Sequence, residues 1–232
     1  SGKWHIDGTP ADGGFDHSYE LQDQGRFFRP ARHQEDGRPL PAVKDADGYY
    51  STIAIADHAV RCLKDHAAAD NANPFFQYVA FTAPHFPLQA LPEDVARYAD
   101  RYKEGWEKVR QARFNRMAAQ GLVAGRMSQP ERTLGPPYAF PDQVRLFGPD
   151  EVTLPIPWED LNDAQRSFQA TKMSIHAAMI DRMDREIGRI MEQLRAMNAF
   201  DNTLILFLSD NGASAEMMVR DDGHDPNAAP GS

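Results

Sequence analysis

Only one cysteine, Cys62, occurs in the 232 residues. A lone thiol excludes an internal disulfide framework and any thiolate metal cluster. Long apolar runs are missing too: stretches such as Thr203–Leu208 fall far below the 18 or more residues that would span a bilayer, and no charged-then-apolar signal stands at the start. This predicts a chain with no membrane partner. An excess of positive charge is also absent, since 25 Lys and Arg face 34 Asp and Glu, a net charge of −9. That balance repels a phosphate backbone, predicts no nucleic-acid partner and suggests no basic stripe. A small anion could be held only where a few cations or a metal converge locally. Proline and glycine, 17 and 16 residues, are not abundant enough for a fibrous or low-complexity chain. The length predicts one large domain, or one domain plus part of another, with a sizeable core. The chain opens Ser1-Gly2-Lys3-Trp4-His5 without a methionine and stops in Pro230-Gly231-Ser232, so both ends read as cut and a fragment is expected.

What is present is an alternation. Residues 8–48, rich in Gly, Asp, Pro and Arg with scattered aromatics, show no sustained period and predict a long structured loop. From Tyr49 to Ala68 the residues Ile53, Ala56, Val60 and Leu63 recur at three and four, which predicts an amphipathic helix entered through Ser51 or Thr52. Phe75–Phe81 is apolar on both faces and predicts a buried strand, ending in Thr82-Ala83-Pro84-His85-Phe86-Pro87. Residues 93–121 read as helical, and residues 125–157, with seven prolines, as a second loop-rich excursion. Asn162–Met197 carries Phe168, Ile175, Met179, Met183, Ile187, Ile190 and Leu194 on one helical face. Thr203–Leu208 predicts a second buried strand, stopping at Ser209-Asp210-Asn211-Gly212. Helix, strand and loop in this repeated order favour an α/β domain with a mainly parallel sheet.

Ligands of such sheets bind beyond the carboxyl ends of the strands, so His85 and Asp210-Asn211 should be neighbours. Asp210 and Asn211 offer hard oxygen ligands suited to calcium or magnesium, although Asp-Asn-Gly after a strand is also ordinary turn chemistry. His85, stiffened by Pro84 and Pro87, could donate to a leaving oxygen or serve only structure. Lys3 and His5, two apart, face one side of an extended segment and could clamp an anion; an exposed lysine and a chance histidine are the bland alternative. Asp181 and Asp184, with Arg182 and Arg185 beside them, read as a solvated or capping network. His58, His66, His176 and Asp57 lack ligand-spaced partners, and Cys62 lies mid-helix as an inert residue. His224, in Asp222-Gly223-His224-Asp225, is a weaker candidate that could reach substrate.

The combination is more specific than its parts. Gly2-Lys3-Trp4-His5, Tyr49-Tyr50 with Asp57-His58-Ala59-Val60, Pro74-Phe75-Phe76 through Thr82-Ala83-Pro84-His85, and Asp201-Asn202-Thr203 through Ser209-Asp210-Asn211-Gly212 occur in a fixed order. Over nearly its whole length the chain resembles the arylsulfatase-like sulfatase family of the alkaline phosphatase superfamily. The resemblance implies a three-layer α/β sandwich with a mainly parallel central sheet, incomplete here, with residues 1–232 as part of a single N-terminal catalytic domain. It implies hydrolysis of aryl or carbohydrate sulfate esters, a calcium ion, a formylglycine made from Cys or Ser, and a periplasmic or extracellular location. The small-molecule or glycan sulfate ester would be bound by Lys3, His5 and His85, with Asp210 and Asn211 on calcium. Departures accompany the match. Cys62 is followed by Leu63-Lys64-Asp65-His66 and does not fit the aldehyde-forming motif, so the nucleophile is expected upstream of Ser1 and absent here. Paired aspartates of a first strand are missing as well, which predicts an incomplete calcium ligand set and a chain inactive by itself. A phosphodiesterase or phosphonate hydrolase of the same superfamily, or a non-catalytic anion- or glycan-binding relative, are the alternatives.

Overall fold

The computed structural model describes residues 1–23, 25–69, 73–133, 152–213 and 231. Three short strands come first: β1 (Tyr19–Leu21), β2 (His33–Glu35) and β3 (Arg38–Pro39), antiparallel in the order β1-β2-β3. Tyr19 lies opposite Glu35 and Leu21 opposite His33. The stretch expected to be a long structured loop, residues 8–48, thus contains a small sheet. The turn from β2 to β3 is Asp36-Gly37, with φ of 47° and 73°. Two successive positive φ values suit a two-residue hairpin whose twist matches its strands.

The sheet continues through hydrogen bonds too few to make named strands. The Gly2 N–H donates to Tyr19 O and Leu21 N–H to Gly2 O, while Ala80 N–H donates to Ser1 O and Lys3 N–H to Ala80 O. Gly2 is therefore bridged in parallel to Glu20 on one side and to Ala80 on the other.

Helices α1 (Ser51–Ala68), α2 (Pro92–Ala96), α3 (Trp106–Ala119) and α4 (Asp163–Ala196) follow. α1 begins where the sequence predicts, but Tyr50 is the cap and no side chain caps it. Its buried face is Ile55, Ala56, Ala59 and Leu63 rather than the stripe through Ile53 and Val60, both of which are half-buried. α4 is a single helix, started by a reciprocal pair in which Asn162 accepts from the Gln165 N–H and Gln165 accepts from the Asn162 N–H. Residues 93–121 do not form one helix: Gly105, at φ 93°, packs so closely on Trp158 that a Cβ would lie 2.3 Å from its ring, and α3 starts afresh there. The core joins Phe27, Tyr50, Ala83, Ala90, Ile175, Ala178 and Met179, with α4 laid across α1 and α2. Burying each large apolar side chain contributes about 1.5–3 kcal/mol.

The two expected interior strands are corrected. Phe75–Phe81 bridges only at Ala80, with Phe76 80% and Tyr78 49% exposed. Thr203–Leu208 makes no ladder among the described residues, and Leu204 and Phe207 are 85% and 76% exposed. A segment apolar on both faces is buried only when layers cover both. On Phe75–Phe81 one face is covered: Phe75 meets His66, and Gln77 donates to Ala59 O, both in α1. On the face carrying Phe76 and Tyr78, Phe76 meets the ring of Phe15 at 5.8 Å, and both side chains stay largely exposed. The described residues are of α/β character, with helices packed beside a small mixed sheet, and a mainly parallel central sheet is not seen among them. No described helix is long and apolar enough to cross a membrane.

Candidate functional site

The site begins with a glycine. Gly2 sits at φ 111°, and a Cβ built on it would lie 2.0 Å from Ala80 O. Only a residue without a side chain lets the two segments run together. This constraint positions Lys3, whose N–H is bound to Ala80 O. Trp4 turns to the other side, stacking edge-on with Phe15 at 5.9 Å and donating its indole N–H to Gly8 O. Alternation along the segment then puts Lys3 and His5 on the side away from that anchor. Lys3 is half-buried and His5 exposed, and neither side chain has an ion-pair partner among the described residues.

The second segment arrives parallel to the first. After Ala80 the chain enters Thr82–Pro87, where the His85 N–H donates to Thr82 O. His85 is exposed, and its Nδ1 lies 2.7 Å from Phe86 O. A carbonyl only accepts, so Nδ1 carries a proton and Nε2 is the nitrogen left for a ligand. Lys3 and His85 thus leave the carboxyl ends of two adjacent, parallel-bridged segments.

Asp210 and Asn211 are exposed. The Asn211 N–H donates to Asp210 Oδ1 and the Ser209 hydroxyl to Asn211 O, which is a local turn. No hydrogen bond or ion pair among the described residues ties this turn to Lys3 or His85. His224 lies outside the described residues. Among the described residues, no group of three or more His, Cys, Asp or Glu could hold a metal ion. Calcium takes six to eight oxygens. Asp210 and Asn211 fit as two of them and do not fit as a set. A cavity of about 20 Å³ beside Lys3, bounded by Gly2, Trp4, Phe15 and Tyr78, has room for about one water and none for a sulfate.

Behind the site lies a polar support that sequence reasoning missed. Tyr49 and Tyr19 hydroxyls meet at 2.7 Å, Tyr19 meets His33 Nδ1 at 3.1 Å, and His33 Nε2 lies 2.8 Å from Pro41 O. Because Nε2 must donate to that carbonyl, Nδ1 of a neutral His33 accepts, and the chain runs from Tyr49 to Tyr19 to His33. Burial pushes both tyrosines' pKa up, so they stay protonated donors. His58, read as partnerless, meets the Ser1 hydroxyl at 2.6 Å and is pushed down to about 4, chiefly by burial. Cys62 lies 3.6 Å from His58, and burial pushes its thiol up, which keeps it inert. Asp57 pairs with Arg189, and Asp181 with Arg97 and Arg185.

Comparison with known proteins gives a consistent result. The family model described as Sulfatase matches residues 1–231. An uncharacterized sulfatase of Schizosaccharomyces pombe is 29% identical over 94% of this chain and 39% of its own. An arylsulfatase of Klebsiella aerogenes is 31% identical over 92% of this chain and 44% of its own. An ulvan-active sulfatase of Formosa agariphila is 26% identical over 95% and 33%. The chain thus spans about two fifths of the length of the first two relatives.

Proposed function

Since this chain belongs to the Sulfatase family, we propose that Lys3, His5 and His85 form the anion-binding wall of a site that hydrolyses sulfate esters. The observation that carries this reading is the parallel bridging of Gly2 to Ala80, which sends the Lys3 and His85 segments out of one sheet edge together. The Lys3 ammonium places positive charge against the non-bridging sulfate oxygens, and His5 offers a further donor. His85 acts on the leaving group. With Nδ1 held by Phe86 O, its protonated form presents Nε2–H. As the ester S–O bond breaks and a new S–O bond forms to the attacking oxygen, which takes the sulfuryl group, that proton passes to the departing alkoxide or phenoxide, and the imidazole is left neutral. Calcium, when bound, supplies positive charge beside the sulfate; Asp210 and Asn211 would give it two of its oxygens, and no step above depends on it. Aryl and glycan sulfate esters both suit this chemistry.

The test uses K3A and H85A, made in a protein that includes the nucleophile expected upstream of Ser1, with p-nitrophenyl sulfate as substrate and inorganic sulfate binding as a readout independent of turnover. Each substitution is expected to lower kcat/KM by about 10²–10³, and K3A to weaken sulfate binding measured by calorimetry. Unchanged kcat/KM together with unchanged sulfate binding would overturn the proposal. Faster hydrolysis of bis(p-nitrophenyl) phosphate than of the sulfate would overturn the substrate class.

A further inference from the structure

Net charge hides a strong asymmetry along this chain. Residues 101–132 carry eight Lys or Arg against three Glu, a net +5. With −9 for the whole chain, the remaining residues carry −14. The expectation of no basic stripe therefore holds for the total and fails locally. This stretch is the turn leading into α3, α3 itself and the loop that follows it. α3 buries none of its residues, unlike α1 and α4, so the body of the protein does not account for its sequence.

Six of the eight cations are exposed, Arg110 and Arg132 are half-buried, and half of the eight meet no protein oxygen among the described residues. Lys103 pairs with Asp100, Lys108 with Glu104 and Arg132 with Glu107. Arg110 binds only neutral oxygens, those of Ser128. Arg101, Arg113, Arg116 and Arg126 are exposed and meet no carboxylate among the described residues. At 3.6 residues per turn, Lys108, Arg116, Arg113 and Arg110 fan over roughly 200° of the helix surface. Below them opens a cleft of about 320 Å³ between α3 and the loop, lined by Lys108, Arg110, Gln111, Gln129 and Arg132 with one carboxylate, Glu107, which Arg132 neutralises. Guanidinium forks match the paired oxygens of oxyanions.

We infer that α3 and the loop through Arg132 form a cationic platform for a sulfated polysaccharide, binding the polymer through several sulfates at once. The inference rests on the sulfate-ester reading above and names a polymer as the substrate class. A single small ester needs one anion clamp; a fan of unpaired arginines with polar residues between them suits many anionic groups on a flexible chain. A single-stranded nucleic acid would call for exposed aromatic faces among the cations. Phe114, the aromatic of α3 beyond Trp106, is half-buried.

The test is R113Q/R116Q/R126Q in a protein that includes the nucleophile expected upstream of Ser1, with dextran sulfate as the probe and neutral dextran as the control. These side chains are exposed and meet no carboxylate among the described residues, so folding should be unaffected. Wild type should bind dextran sulfate with affinity falling steeply as salt rises, and the triple variant should bind at least roughly tenfold more weakly with a shallower salt slope. Turnover of p-nitrophenyl sulfate should be the same for both. Equal dextran sulfate affinity for both proteins would overturn the platform while leaving the sulfate-ester reading intact. Absence of p-nitrophenyl sulfate turnover in the nucleophile-bearing wild type would overturn that reading, with the dextran sulfate comparison still deciding the platform. Tighter binding of duplex DNA than of dextran sulfate, or salt-sensitive self-association of wild type without dextran sulfate binding, would also overturn it, the second by assigning the surface to another copy's acidic body.

Discussion

Two single residues carry consequences that can be measured directly. Gly2→Ala must place a methyl group on Ala80 O and hold a positive φ. A cost of about 3 kcal/mol is expected, read as a lower urea midpoint at unchanged m-value. A second prediction concerns His58, which is pushed down to about 4 chiefly by burial and further by the nearby positive charge of Arg61. An unfolded imidazole takes its proton near 6.5, so the unfolded chain gains protons first as pH drops. Stability should be full above pH 6.5 and fall by about 3 kcal/mol as the pH is lowered toward 4. H58Q should flatten that fall, and the His58 ring resonance should titrate near 4. Lys3, His5 and His85 were legible as candidates because their chemistry sits at motif ends. The need for glycine at position 2 was not, because the atom that imposes it belongs to Ala80, far along the chain.

Among elements, the tie between α2 and α4 gives the clearest expectation. Asp94 is fully buried; Arg182 Nε reaches it at 2.7 Å and Nη2 at 3.1 Å, and Arg185 also binds it. Removing one partner of a buried pair leaves the other charge uncompensated. D94A is expected to cost about 3–5 kcal/mol in urea unfolding, and R185A, whose side chain is 42% exposed, under about 1 kcal/mol. α1 and α4 were readable because long amphipathic periods bury one stripe. β1, β2 and β3, two or three residues each, are too short to show a period, although Asp36-Gly37 carried a usable hairpin signal. α3 was joined to α2 because composition favours helix across both; the break at Gly105 is a packing demand of Trp158, and spacing could not reveal it.

At the scale of the whole molecule, the apolar side chains of Leu204, Leu206, Phe207 and Leu208 stand exposed. Contiguous surfaces of this kind bind hydrophobic dyes. The protein should bind anilinonaphthalene sulfonate, and L206K/F207K should reduce that fluorescence while changing stability by less than about 0.5 kcal/mol. The α/β character was visible in the alternation of helix and apolar segment, but periodicity says only that a segment is apolar on two faces, not what covers it. The placement of Gly2 between β1 and Ala80 also has a kinetic side. Its two bridges close loops of very different size, one to Glu20 and one to Ala80, and the larger closure costs more chain entropy before any contact rewards it. In a refolding experiment with pulsed hydrogen exchange, the amides of α1 and α4 should gain protection early, that of Leu21 later, and those of Lys3 and Ala80 last. The sheet edge from which Lys3 and His85 emerge would then be the final part of the molecule to become ordered.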